Sequence, residues 1–222
     1  MKENRFSPDN ILTAARQPHS PAVLCIAACL LLASAISIAA NSDNKPANKQ
    51  AKTTAAETCD VENFGKVNDH YYRGAQPEEA QYTQLKTLGV KTVIDLRDNP
   101  RGYAKTKAEE AGLQYINLPL SDTKTPAEES VKKFLELAND DNNWPIFVHC
   151  AGGRHRTGAM TAVYRMTMEN WNVERAYDEM KDYDFYTRWG HKAMKTFVFD
   201  YAKELQTRHT AEATLSTPNH DH

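Results

Sequence analysis

From residue 77 onward the apolar positions alternate between two rhythms. Behind Pro77, Tyr82, Leu85 and Leu88 recur at helical spacing, and Gly89 is placed to close that helix. Thr92 to Leu96 (TVIDL) is a short β-branched run, the pattern of a buried strand. Asn99-Pro100 starts a second helix with Ala104, Ala108 and Ala111 on one side, and Gly112 ends it. Tyr115 to Leu118 predicts a strand. Thr125-Pro126-Ala127-Glu128 has the form of a cap, a first-position proline and a capping-box glutamate. Val131, Phe134, Leu135 and Ala138 follow at helical spacing. Pro145 to His149 (PIFVH) predicts another strand, and residues 157–169, 173–181 and 188–206 predict three helices. Ala193, Phe197, Tyr201 and Leu205 mark one face of the last. This alternation predicts an α/β fold with a central, mostly parallel sheet flanked by helices. In such sheets ligands bind beyond the carboxyl ends of the strands.

One stretch follows neither rhythm. Residues 22–40 (AVLCIAACLLLASAISIAA) carry no charge. Lys2, Arg5 and Arg16 precede them, and small residues close the run at Ser37 to Ala40. This is the form of a secretory signal. The run is also long enough for an uncleaved anchor, and Ile26-Ala27-Ala28-Cys29 has the look of a lipoprotein box. Residues 1–40 are therefore expected to be a signal peptide or membrane anchor, giving an exported protein: periplasmic, extracellular or membrane-anchored. Residues 41–58 are Asn, Lys, Ala and Thr without a large apolar side chain, the composition of a flexible linker. The pattern places one domain at 59–207 and a disordered tail at 208–222.

Composition narrows the classes. The 222 residues are 41% hydrophobic and 25% charged, ordinary globular values. The formal charge is −2, and removing residues 1–40, with three basic and two acidic side chains, leaves −3. No nucleic-acid partner is implied. Four scattered cysteines make neither a disulfide scaffold nor a zinc site. His191 has no second metal-type residue at useful spacing, so no metal is expected.

The chemistry lies at the junction after PIFVH: His149-Cys150-Ala151-Gly152-Gly153-Arg154-His155-Arg156-Thr157-Gly158. Two glycines let successive N–H groups turn inward as an anion nest, and the following helix adds its positive end. Cys150 at the lip of that nest is expected to have its thiol pKa well below the usual ~8.5. Arg156 can grip two oxygens of a tetrahedral oxyanion. Thr157 can place its hydroxyl beside the sulfur, and His149 can bond the backbone around the cysteine. Arg154 and His155 are expected to face the rim.

His149, Cys150, Gly153, Arg156 and Thr157 fill the signature loop of the cysteine-dependent protein tyrosine phosphatases. The His155-Arg156-Thr157-Gly158 ending resembles the compact dual-specificity branch. Asn63 to Val67 and Tyr71 to Pro77 are similar to the first strands of the atypical dual-specificity-like phosphatases of bacteria, plants and fungi. The resemblance implies a dual-specificity-phosphatase-like fold and metal-free, cofactor-free hydrolysis of a phosphomonoester through a phosphocysteine. The partner is then a phosphorylated protein or a small phosphoester. Phosphotyrosine is the first expectation, then phosphoserine or phosphothreonine, with an inositol polyphosphate or phosphoinositide, or phosphate binding without turnover, as alternatives.

In these roles Cys150 is the nucleophile. Arg156 and the backbone of Ala151, Gly152, Gly153, Arg154, His155 and Arg156 hold the phosphoryl group. Family members carry a general acid on the loop before the signature strand, which here selects Asp122 in LSDTKT. No Trp-Pro-Asp sequence is present, so Asp95, Asp98, Asp182 and Asp184 stand as lesser candidates. Arg73 is expected in a structural ion pair under the sheet. Tyr183, Phe185, Tyr186 and Trp189 form an aromatic patch expected to pack in the core.

Overall fold

The computed structural model describes residues 59–188 and 190–215, with side chains as far as residue 211. The apolar run 22–40 and the linker expected over 41–58 lie outside the described residues. Two short strands open the domain, β1 (Gly65–Asn68) and β2 (Tyr71–Gly74). There follow α1 (Gln81–Thr87), β3 (Thr92–Arg97), α2 (Ala104–Glu110) and β4 (Gln114–Leu120). Then come α3 (Glu128–Asn139), a 3-10 turn (Asp141–Asn143) and β5 (Ile146–His149). Three helices complete the chain: α4 (Arg156–Met168), α5 (Val173–Asp182) and α6 (Lys192–Leu215).

The five strands form one sheet in the order β1-β2-β5-β3-β4. β1 is antiparallel to β2, and the remaining pairs are parallel. Period-2 alternation divides the buried side chains between two faces. Tyr71, Ile94, Ile146 and Val148 pack with residues of α3, α4, α5 and α6 such as Phe134, Met160, Met180 and Val198. Tyr72, Val93 and Phe147 face the other way, toward Tyr82 and Leu85 of α1 and Ala104 and Ala108 of α2. Each fully buried side chain of this size contributes roughly 1.5–3 kcal/mol. Helix α4 is the hub: every residue from Arg156 to Met166 is buried, so the signature loop feeds into a helix enclosed on all sides.

The observed elements match the expected alternation, with shifted ends. α1 begins at Gln81, and Pro77 belongs to the approach; α2 begins at Ala104. The cap at Thr125 does not form. Ala127 is the extended N-cap and makes no side-chain bond, while Pro126 is buried in the approach, so α3 starts at Glu128. The last helix runs eight residues beyond the expected boundary at 207. Residues 208–215 include Ala211, Glu212, Ala213 and Leu215, good helix formers, and the Thr210 hydroxyl donates to the Gln206 carbonyl (2.9 Å). The helical part of the expected tail is thus a correction; residues 216–222 lie outside the described residues. No helix among the described residues is long and apolar enough to cross a membrane.

Candidate active site

All four parallel strands direct their carboxyl ends at one place. Gly74 of β2 leads to Gln76, Arg97 of β3 to Asp98, Leu120 of β4 to Asp122, and His149 of β5 to Cys150. β5 lies between β2 and β3, so Cys150 leaves the sheet at its interior.

The loop from Cys150 to His155 is held by its carbonyls. His149 Nδ1 lies 3.2 Å from the Cys150 carbonyl, the Gln76 N–H donates to the Ala151 carbonyl (3.1 Å), and Asn63 Nδ2 donates to that of Gly152 (3.2 Å). Arg73 Nη2 donates to the Gly153 carbonyl (2.8 Å). A trans peptide sets its N–H opposite its C=O. Four carbonyls drawn away into the protein therefore turn the N–H groups of residues 151–154 toward the concave side, as an anion nest requires. Gly153 makes this possible: its φ is +67°, and a Cβ there would meet the Gly74 carbonyl carbon at 2.6 Å.

Cys150 is buried, 3% exposed. Burial by itself pushes the thiol up. The Thr157 hydroxyl and N–H, the Arg156 charge and the Gly153 N–H outweigh it, and the pKa falls below its ordinary value. The buried Thr157 hydroxyl closes no full hydrogen bond, which keeps it as a donor for the charged sulfur. His149 is fully buried with Nδ1 3.9 Å from Asp95 Oδ1; burial, against the pull of Asp95, holds its pKa below the usual value and keeps the ring neutral. It is a scaffold for the loop.

Arg156 is 6% exposed, and its Nη1 donates to Asp98 Oδ1 (2.7 Å) and to the Leu120 carbonyl (3.1 Å). The second bond ties the guanidinium to the strand end that carries Asp122. Asp122 is exposed, and His191 Nδ1 lies 2.9 Å from its carbonyl oxygen. Among the lesser acids, Asp95 is buried and committed to the Tyr115 hydroxyl (2.7 Å) and the Arg97 N–H (2.8 Å). Asp182 ends α5, and Asp184, at φ 59°, is 3.9 Å from Arg154 Nε. Asp98, ranked low from sequence, is the carboxylate that touches the site's arginine.

Two expectations change. Arg154 is half-buried on the rim and bonded to Glu62 (2.8 Å), as a rim residue should be. The His155 side chain, however, turns inward: it is 9% exposed, its Nε2 lies 3.1 Å from the Tyr186 carbonyl, and its ring stacks on His191 at 3.5 Å and 8°. Phe185, Tyr186 and His191, all from the segment before α6, cover it. Arg73 makes no ion pair among the described residues; it is wholly buried, with Tyr183 beneath its guanidinium (3.9 Å) and Gly153 as its bond. Phe185 is buried and Tyr183 and Tyr186 half-buried, while Trp189 lies outside the described residues. Asn63 was missed from sequence. Its positive φ of 55° is a backbone feature that composition does not display. No group of His, Cys, Asp or Glu among the described residues is arranged to hold a metal ion.

A phosphate nest around a stabilised thiolate, backed by one arginine, defines a cysteine-dependent phosphatase architecture. A family model described as DSP-PTPase phosphatase fused to NAD+ kinase matches residues 44–197. The chain belongs to this family of DSP-PTPase phosphatases. It is 31% identical over 124 residues to a probable tyrosine-protein phosphatase of Dictyostelium discoideum, covering 54% of this chain and 74% of that one. It is 28% identical to an inositol diphosphatase of Arabidopsis thaliana and 27% identical to the dual specificity protein phosphatase TpbA of Pseudomonas aeruginosa. Those matches cover 53% and 54% of this chain, and the chain spans 61% and 53% of the two relatives. In fold it is similar to the core catalytic domain of the PP-IP phosphatase SIW14 from S. cerevisiae. That likeness has a TM-score of 0.58 at 21% identity, covering 69% of this chain and 94% of that one.

Proposed function

We propose that the chain hydrolyses phosphomonoesters, with phosphotyrosine proteins as the first substrate class and phosphoserine or phosphothreonine proteins as the second. One observation carries this reading: the buried, thiolate-favouring Cys150 stands in a loop whose first four carbonyls are all bonded away from the nest. Cys150 Sγ attacks phosphorus, the bond to the ester oxygen breaks, and Asp122 protonates that oxygen as it leaves. Arg156 and the N–H groups of the loop neutralise the equatorial oxygens as charge develops. Water then attacks the phosphocysteine, giving its proton to the Asp122 carboxylate, and phosphate and the Cys150 thiolate are regenerated. The apolar run 22–40 supports placing this activity outside the cytoplasm, on a cleaved or an anchored chain; amino-terminal sequencing of the protein recovered from cell fractions tests that.

An inositol phosphate substrate is the second reading, favoured by the names of relatives such as the Arabidopsis inositol diphosphatase. A panel of phosphopeptides, phosphoinositides and inositol polyphosphates decides between the two. The chemistry itself is tested with p-nitrophenyl phosphate: Cys150→Ser should abolish turnover with the fold intact, and retained turnover would refute the nucleophile. Arg156→Lys, which loses the two-pronged grip, should lower kcat/KM by about 10²-fold or more.

A further inference from the structure

Arg73 is a large, wholly buried polar side chain that the phosphatase mechanism does not use. It comes from β2, where it pairs in register with Val148 of β5, two residues before the nucleophile. Its relative exposure is 0%. Nη2 bonds the Gly153 carbonyl, while Nε and Nη1 are buried without a hydrogen-bond partner. A guanidinium taken out of water is costly unless its charge is answered nearby. No carboxylate among the described residues reaches it. Glu179 is the acidic group within electrostatic range, but both its oxygens are bonded to Arg165 (2.6, 3.1 and 3.2 Å). The groups that face Arg73 are Tyr71 from its own strand, Tyr183 across its face, Glu179 from α5 and Cys150 from the loop above. Tyr71 is held un-ionised by burial, and its hydroxyl is bonded with that of Thr161 (3.0 Å).

We propose that Arg73 is a buried second cation of the phosphate site, a positioning residue whose countercharge is the Cys150 thiolate and the phosphoryl group bound above it. It acts in two ways through one contact. Its bond to Gly153 draws that carbonyl outward, which turns the next N–H into the nest. Arg73 comes from β2, on one side of β5, and Arg156 bonds Asp98 and Leu120 at the ends of β3 and β4, on the other, so a dianion bound in the loop would lie between two guanidiniums although substrate touches only one. The Tyr183 ring lies 3.9 Å from the Arg73 guanidinium carbon and spreads part of this charge by cation–π contact.

The inference rests on Cys150 being the nucleophile, and the experiment separates the two. The thiolate is titrated in the full chain by the pH dependence of iodoacetamide alkylation, and phosphate or vanadate affinity is read from inhibition of p-nitrophenyl phosphate hydrolysis. Arg73→Gln keeps a donor for Gly153 and removes the charge; Arg73→Lys keeps the charge. Arg73→Gln is expected to lower the thiolate fraction below neutrality about tenfold, one pKa unit, and to weaken vanadate inhibition by a similar factor, with native circular dichroism. Arg73→Lys is expected to stay within about threefold of the parent in both. An unchanged alkylation profile and vanadate affinity in Arg73→Gln would overturn the proposal. If Arg73→Gln fails to fold, Arg73→Lys decides: near-parental titration and inhibition support a charge role, and loss of vanadate affinity with an unshifted thiolate refutes it. Retained turnover in Cys150→Ser would instead remove the nucleophile reading on which the proposal stands.

Discussion

Asp98 Oδ1 lies 2.7 Å from Arg156 Nη1, so the arginine expected to grip phosphate is engaged by a carboxylate. The Asp98 side chain is 56% exposed. An ion pair with so wet a partner is worth no more than about 1 kcal/mol, and a phosphate dianion with several donors displaces it. If Arg156 grips phosphate as proposed, this pair would hold the guanidinium over the site and compete weakly with substrate. Asp98→Asn is therefore expected to tighten inhibition by inorganic phosphate by up to about fivefold, the equivalent of that energy. The effect should shrink as salt rises. Inhibition constants at two ionic strengths check it; unchanged or weaker phosphate binding would show that the pair does not compete.

Asp122 stands two residues beyond the Leu120 carbonyl that Arg156 bonds, and its own carbonyl is fastened to His191. If it protonates the leaving oxygen, the demand on it rises with the basicity of that oxygen. Asp122→Asn should cut kcat on phosphotyrosine by about 10²-fold or more and cost several-fold less on an aryl phosphate with an activated leaving group. The ratio of the two losses is the measurement. Equal, negligible losses would move the role to another group, and the same pair of substrates on Asp98→Asn would test its nearest rival.

The architecture of the loop was legible because it is local: the buried cysteine, the turned backbone and the arginine all fall within ten consecutive residues. The interior strands β3 and β5 were legible because parallel strands buried on both sides leave short β-branched runs. What sequence did not show is how the loop is held. Asn63 and Arg73 reach Gly152 and Gly153 across 89 and 80 residues, and Asp98 reaches Arg156 across 58. No periodicity encodes such pairings. His155 was misplaced for the same reason, since the ring that covers it, His191, arrives from just before the last helix. Helix starts failed where a proline suited to a first turn served the approach instead, as at Pro77 and Pro126.

Two buried histidines give stability a pH dependence of definite sign. Burial, then the neighbouring His191, pushes His155 down from the usual 6.5 to about 4, and burial also lowers His149. Both rings are neutral in the native state and take up protons on unfolding. Stability is then fully present above about 6.5 and is lost progressively as pH falls from there toward about 4. The lowered Cys150 thiol acts in the same direction, so the comparison belongs in a Cys150→Ser background. Thermal melts between pH 7.5 and 4.5 should show Tm falling, and His155→Gln should flatten the slope while starting from a lower Tm. An equal slope in the variant would assign the dependence to other groups.

Adjacent glycines of the loop make opposite predictions. At Gly153 the backbone has φ +67°, and a Cβ would meet three backbone atoms: Gly74 C at 2.6 Å, Gly74 O at 2.7 Å and Ala75 N at 2.8 Å. Backbone of β2 cannot step aside without moving Arg73, which holds the Gly153 carbonyl from the same strand. Left-handed backbone alone costs an alanine roughly 1–2 kcal/mol, and the clash adds to it. At Gly152 the nearest atoms are the flexible Arg154 side chain at 3.7 Å, an ordinary contact. Gly153→Ala is expected to lose at least about 2 kcal/mol of stability and most phosphate affinity, because the nest cannot keep its shape. Gly152→Ala is expected to change stability by less than about 1 kcal/mol. Urea melts of the two variants, with phosphate titrated into each, give the contrast directly. Similar losses in both would mean that bulk near the loop, and not its left-handed turn against β2, is what the fold resists.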